Sequence, residues 1–335
     1  MEKYKSSISF KGNTDIGKHR TNNEDAFIAQ QIWDDKHILA VAIDGVGGYE
    51  GGEVAAAIAQ KTIVEYLENF PNGERLDLLK QAVVEANNKI VEERAAQPQF
   101  ANMSCVLTAC LVEVERKQIN MVHVGDTRLY GYRGGELKKL SHDHSLVGYR
   151  EEIGDLTEDE AMNHPQRNVI GRDVGSARHQ VNDEDFLEAA IFQLLPDTTL
   201  LLCSDGLCDM LKTVEMVEVL QQKIPLNEKV QGLIEAANEK GGKDNVTVIL
   251  IEYQNDEPVT EEILSNSGAE QTADTEKQNE ANVSKQKKSR PVSQVIIIAA
   301  LILALLLGLA GGWLIRDRLC NEQPVQETPS DSTQN

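Results

Sequence analysis

The stretch Ile38-Leu39-Ala40-Val41-Ala42-Ile43-Asp44-Gly45-Val46-Gly47-Gly48 decides how this chain is read. Its apolar run predicts a strand buried on both faces, since a half-exposed strand would alternate. The run ends at an acid and continues through glycines. A carboxylate at the end of a buried strand is rigidly held, and Gly45, Gly47 and Gly48 let backbone approach whatever that carboxylate binds.

Three further acids sit in the same kind of place. Asp126 follows the run Ile119 to Val124, Asp205 follows Thr199 to Ser204, and Asp244 precedes Asn245 and the run Val246 to Ile251. A single Asp-Gly at a strand end is ordinarily a turn. Several at separate strand ends favour a shared, oxygen-rich metal centre.

The 335 residues carry a formal charge of -21, which argues against nucleic acid as a partner and suits hard cations. The length allows one domain of about 250 residues with appendages. None of the five cysteines forms a CxxC pair. Cys105, Cys110, Cys203 and Cys208 lie in or beside apolar runs and read as small core residues of a reducing compartment. The first ten residues are too polar for a signal peptide.

Residues 1–253 read as one globular unit. Strands are predicted near 6–10, 38–43, 104–113, 119–124, 128–133, 199–203 and 246–252. Hairpin turns fall at Glu115–Gln118 and Arg133–Glu136. Apolar spacing predicts helices over 53–70, 76–95, 214–222 and 226–240. Antiparallel strands with grouped helices indicate an α+β layered sheet fold. Residues 144–185 are polar, and read as a long mobile flap carrying one short helix near 157–163.

Residues 254–291 read as a disordered acidic linker that ends in the basic cluster Lys285, Lys287, Lys288 and Arg290. Residues 292–315 are apolar without a charge, long enough for a transmembrane helix across roughly 30 Å of hydrocarbon. The basic residues before it place residues 1–290 in the cytoplasm by the positive-inside rule, with a single-pass anchor in the cytoplasmic membrane. Residues 316–335 form a short polar tail.

Arg20-x-x-Asn23-Glu24-Asp25 precedes the central strand, and alone it is a charged loop. Combined with Asp44-Gly45-Val46-Gly47-Gly48, Gly125-Asp126-Thr127-Arg128-x-Tyr130, Ser204-Asp205-Gly206-Leu207 and Asp244-Asn245, in that order, it resembles the metal-dependent serine/threonine protein phosphatases of type 2C in their bacterial form. Asp143-His144-Ser145 and the flap words His164-Pro165 and Asn168-Val169-Ile170 also fit. The resemblance covers residues 12–252.

It implies a central antiparallel β-sandwich flanked by helices on both sides, in four α-β-β-α layers, with a metal site at one end of the sheets. Asp44 would bridge two Mg²⁺ or Mn²⁺ ions, with the Gly45 carbonyl on one of them. Asp205 and Asp244 would hold the first ion, and Glu24 and Asp25 would support the second, partly through water. Asp126 would join Asp205 at a third ion, with Asp209 and Asn245 as further candidates, and Arg20 would clamp the substrate phosphate. The chemistry agrees. Carboxylate and carbonyl oxygens suit Mg²⁺ and Mn²⁺. Two such ions lower the pKa of a water between them, which attacks phosphorus without a Ser or Cys nucleophile. Arg20 offers a planar fork to phosphate.

The expected substrates are phosphoserine and phosphothreonine proteins, those of a bacterial Ser/Thr kinase in particular. The sequence departs from the pattern at Val46, where animal members carry a histidine, at Tyr49, and at Ser104-Cys105-Val106 in place of Gly-Thr-Thr. The general acid is therefore unassigned. The departures leave room for an alternative, a catalytically silent phosphoprotein-binding signalling module. Hydrolysis of a small phosphoester would use the same site.

Overall fold

The computed structural model describes residues 7–47 and 51–254. Ten strands form two antiparallel sheets. In the first, β1 (Ser7–Asp15) and β10 (Val246–Gln254) pair along their lengths, followed by β9 (Thr198–Cys203), β6 (Arg128–Arg133) and β7 (Glu136–Lys139). In the second the order is β2 (Ala26–Gln31), β3 (His37–Val46), β4 (Ser104–Glu113), β5 (Gln118–Val124) and β8 (Glu188–Gln193).

Side-chain alternation builds the layers. Along β3, Ile38, Ala40 and Ala42 meet Leu200, Leu202, Ile249 and Ile251 from the other sheet. The intervening Leu39, Val41 and Ile43 turn outward to pack on helices α1 (Gly51–Asn69) and α2 (Arg75–Ala96). On the first sheet, Leu201, Val248 and Leu250 face α6 (Thr213–Leu220) and α7 (Leu226–Glu239). Strands buried on both faces must be apolar throughout, which is why β3 does not alternate. Emptying one such position, as in Leu39→Ala, costs about 2–5 kcal/mol. The α+β fold of two packed sheets with outer helices is the expected one.

The two-residue period also aims the functional end. Asp44 falls on the same face as Ala40 and Ala42, at the rim between the sheets. Gly45 falls on the helix face, where the first turn of α1 crosses it. A Cβ on Gly45 would lie 2.3 Å from the Gly52 carbonyl oxygen and 2.5 Å from that of Glu24. Glycine is required there by close approach.

The structure departs from the sequence reading in four respects. Strand β1 runs on to Asp15, held by its partner β10. Strands β2 and β8 were not foreseen. The flap holds two short helices, α3 (Leu146–Glu152) and α4 (Glu158–Met162), and α4 is closed by a capping box between Thr157 and Glu160. Nor is the flap loose. Val174 and Cys105 exchange backbone hydrogen bonds at 3.0 and 2.7 Å, and Ser145 bridges to Ile170. Asn87 of α2 donates to the Ala177 carbonyl at 2.8 Å and accepts from the Gly175 N–H at 2.7 Å.

Among the described residues no helix is long and apolar enough to cross a membrane. The expected linker over 254–291, the span over 292–315 and the tail lie outside the described residues, apart from Gln254 at the end of β10, as do Gly48 and Tyr49. Cys105, Cys110, Cys203 and Cys208 are free and buried, as expected.

Candidate metal centre

A single cavity of about 190 Å³ opens at the rim of the sandwich, with Arg20, Glu24, Asp44, Gly45, Asp126, Asp205 and Asp244 in its wall. It is large enough for roughly six waters. The flap contributes Asn168 and Ile170 as one side, and Val106 and Val46 add apolar wall. Strand ends from both sheets and three separate loops thus converge on one space. Gly125 makes part of this possible: its φ is +108°, and a Cβ there would lie 2.2 Å from Val106.

The acids repel one another. Burial pushes the Asp44 carboxyl well above the usual range, reinforced by Asp25, Asp205, Asp126 and Asp244. Asp205 is raised by burial, then by Asp126, Asp209, Asp244 and Asp25. Burial raises Asp126 to about 7, with Asp143 adding and Arg128 opposing. Acids so crowded are neutralised by protons or by cations. The Asp205 Oδ1 atom is buried and has no hydrogen-bond partner among the described residues, which leaves one oxygen of the cluster free for a cation. Among the described residues, no three of these acids bring oxygens within 4.8 Å of each other. They do not form a single-ion cage, and the spacing suits ions that keep several waters, as Mg²⁺ does.

Asp25 reaches the same end from the β1–β2 connection but does not line the cavity. Its Oδ2 accepts from Ser204 Oγ at 2.8 Å and Thr247 Oγ1 at 2.7 Å. Burial raises it to about 7 against these bonds. Thr247 is in turn paired with Thr14, which Asn23 contacts at 3.0 Å. Ser204 stands in the motif Ser204-Asp205-Gly206-Leu207 with no role assigned from sequence, and Thr247 was not singled out. The available signal is position: each lies on the inter-sheet face beside a motif acid.

Asn245, a candidate ligand, is committed elsewhere. Its Oδ1 accepts the Glu24 N–H, and its Nδ2 donates to the carbonyls of Ile16 and Asn22. Asp209 is bound by Arg167 Nε of the flap at 2.5 Å, and it lines a smaller pocket with Asp126 and Asp205. Arg20 donates to Asp244 Oδ2 at 2.6 Å and is 44% exposed, at the cavity mouth. Arg128 is not a free cation: it forks onto Asp143 at 2.6–3.2 Å and reaches Glu151 at 2.8 Å, tying β6 to α3. Among the described residues the cavity wall contains no histidine.

The family model described as "Protein phosphatase 2C" matches residues 16–250. The chain is 33% identical over 243 residues to the serine/threonine phosphatase stp of Listeria monocytogenes, covering 71% of this chain and 93% of that protein. The crystal structure of the Mycobacterium tuberculosis serine/threonine phosphatase PstP/Ppp superposes with a TM-score of 0.65 at 30% identity, over 74% of this chain and 99% of that one. A PstP catalytic domain in complex with two manganese ions superposes with a TM-score of 0.64 at 30% identity, over 75% and 100%.

Proposed function

The chain belongs to the protein phosphatase 2C family and is a serine/threonine protein phosphatase. From that premise we propose that it removes phosphate from phosphoserine and phosphothreonine proteins at the acidic cavity, using Mg²⁺ or Mn²⁺ held by Asp44, the Gly45 carbonyl, Asp205 and Asp244. Glu24 and Asp25 would support the ions, and Asp126 with Asp205 and Asp209 would hold a further one. The observation that carries this reading is the unpartnered Asp205 Oδ1, buried in a wall of mutually repelling carboxylates.

When bound, the ions supply charge neutralisation for the phosphoryl group and make a nearby water more acidic. The chain's own residues do the rest. Arg20, at the mouth, pairs the incoming phosphate, since its fork matches two phosphoryl oxygens. Ser204 and Thr247 orient Asp25, and Asn245 fixes the loop that carries Glu24. Asn168, Ile170 and Val106 narrow the cavity and limit free water. Among the described residues no histidine lines the cavity, so the proton for the leaving seryl or threonyl oxygen comes from solvent or a cavity carboxyl.

The proposal extends to location. Residues 254–291 tether the domain, residues 292–315 anchor it in the cytoplasmic membrane, and residues 1–253 face the cytoplasm. The anchor raises the effective concentration of the enzyme near membrane substrates, such as those of a membrane Ser/Thr kinase.

The test is release of phosphate from a phosphothreonine peptide by the full chain, with Mn²⁺ and with chelator. Manganese-dependent turnover that Asp44→Asn removes is the expected result. Bound Mn²⁺ without turnover would establish the silent phosphoprotein-binding module instead. Fractionation tests the anchor: the full chain sediments with membranes, and a chain ending at residue 254 stays in solution with its activity.

A further inference from the structure

Three side chains outside the acidic cavity make a second cluster with different chemistry. His123 on β5 and Glu188 on β8 are directly paired across the sheet, so both rise from the same face. His144, after β7, docks on β5 by donating its backbone N–H to the Gly125 carbonyl at 2.6 Å. The two imidazole rings lie 4.8 Å apart, tilted by 43°. One ligand atom from each of His123, His144 and Glu188 lies within 4.8 Å of the others, and no other such set of three occurs among the described residues.

The cluster contains an unsatisfied atom. His123 is fully buried, and its Nε2 has no hydrogen-bond partner among the described residues. Thr108 Oγ1 lies 2.8 Å from His123 Nδ1 and also contacts Thr127, its carbonyl at 3.0 Å and its Oγ1 at 2.7 Å, so the ring is held through Nδ1. That leaves Nε2 as a ring nitrogen in a dry interior, a costly arrangement unless something takes it.

We propose that His123, His144 and Glu188 form a separate metal site for one ion of the Zn²⁺ class. Two imidazoles and a carboxylate are a Zn²⁺ donor set with the fourth position left to water. The all-oxygen cavity prefers Mg²⁺ and Mn²⁺, so the two sites sort ions by donor softness. The supporting contacts are in place. Thr108 holds His123 by Nδ1, and His142 holds Glu188 twice, through its backbone N–H at 2.9 Å and its Nδ1 at 2.7 Å. Glu188 keeps 19% of its side chain exposed and gives the ion an entry.

Binding has a local consequence. His144 Nδ1 accepts the Gly125 N–H at 3.1 Å. Ligation through His144 Nε2 moves the ring proton to Nδ1 and takes that acceptor from Gly125. The donor atoms also draw together to reach bonding distance. Gly125 adjoins Asp126 of the acidic cavity, so the second site is coupled to the first through one peptide.

The experiment is equilibrium dialysis of the full chain against Zn²⁺ with a large excess of Mg²⁺, repeated with Co²⁺ for its visible absorption. One zinc per chain is expected to persist against Mg²⁺. It should be lost in Glu188→Gln and His144→Gln, each checked for native circular dichroism, and retained in Asp44→Asn. Glu188→Gln is the decisive variant, because the residue is partly exposed and Gln keeps an acceptor for His142. No magnesium-resistant zinc in the wild type overturns the proposal. So does zinc that Asp44→Asn removes and Glu188→Gln retains, which would place it in the acidic cavity.

Discussion

The side-chain oxygen of Asn245 accepts the backbone N–H of Glu24 at 2.8 Å, joining positions 221 residues apart. The same amide donates to Ile16 and Asn22, and the residue is almost fully buried. The loop that delivers Glu24 and Asp25 is therefore shaped by one side chain from the far end of the domain. Asn245→Ala leaves the Glu24 N–H and two carbonyls without partners. It should cost about 2–4 kcal/mol of stability. Turnover at saturating Mn²⁺ should fall by about tenfold or more. Thermal melting and steady-state kinetics check the two effects separately, and an unchanged rate would show that the loop holds its shape without Asn245.

Asp205→Asn separates the metal from the fold. Asp205 is raised by burial and by four neighbouring carboxylates, so removing its charge relieves the metal-free protein. The variant should melt higher than wild type in chelator, gain nothing from Mn²⁺, and lose about a hundredfold or more in turnover. Wild type should gain stability with Mn²⁺ by mass action. A variant that Mn²⁺ still stabilises as well as wild type would move the ion elsewhere.

The acids also set a pH dependence for the metal-free protein. Asp25 and Asp126 are raised to about 7. An acid raised in the folded state holds its proton there while the unfolded chain has released it. Stability therefore falls as pH rises through the folded value. Burial lowers the His144 pKa to about 3 and lowers His123 also, which removes stability below the unfolded value near 6.5. Above pH 6.5 that contribution is constant. Asp143, kept low by Arg128 and Lys139 despite its burial, is ionised throughout. Chelated protein should thus lose about 5 °C or more in Tm between pH 6.5 and 8.5, and saturating Mn²⁺ should remove most of that slope. Melting at several pH values with and without metal measures it.

The flap depends on two adjacent asparagines of α2. Asn87 holds Gly175 and Ala177, while Asn88 donates to the His179 carbonyl at 3.0 Å and accepts its N–H at 3.0 Å, as a neighbouring strand would. Asn87→Ala strands a buried N–H and a carbonyl and should cost about 1–3 kcal/mol. Amide exchange of residues 170–180 should accelerate, while that of β4 and β10 stays slow. Exchange followed by mass spectrometry reads both.

Sequence patterns that depend on neighbouring residues were readable. Long apolar runs marked β3, β4, β5, β9 and β10, and strand-end acids marked most of the cavity wall. Strand β8 was not readable, because Glu188 to Gln193 alternates between half-buried and exposed at a sheet edge and carries two charged or amide ends. Strand β2 is short and ends in Gln30-Gln31. The sheet order was beyond local pattern, since β1 against β10 pairs residues more than two hundred positions apart. Asn87, Asn88 and Asn245 act through two or three long-range hydrogen bonds each to backbone, and nothing beside them in sequence marks such a role. The acids of the cavity wall were identifiable because a carboxylate after a buried strand leaves a local trace.

Ser7 lies opposite Gln254, and Asp15 opposite Val246, so the first strand to leave the ribosome must wait for the last. During synthesis β1 presents an unpaired edge of amides and carbonyls until nearly the whole domain has emerged. Asp44 is made early and Asp244 late. The acidic cavity is incomplete until residue 244 has emerged, and a nascent fragment stopped before it would lack part of the wall however well its other sheet had formed.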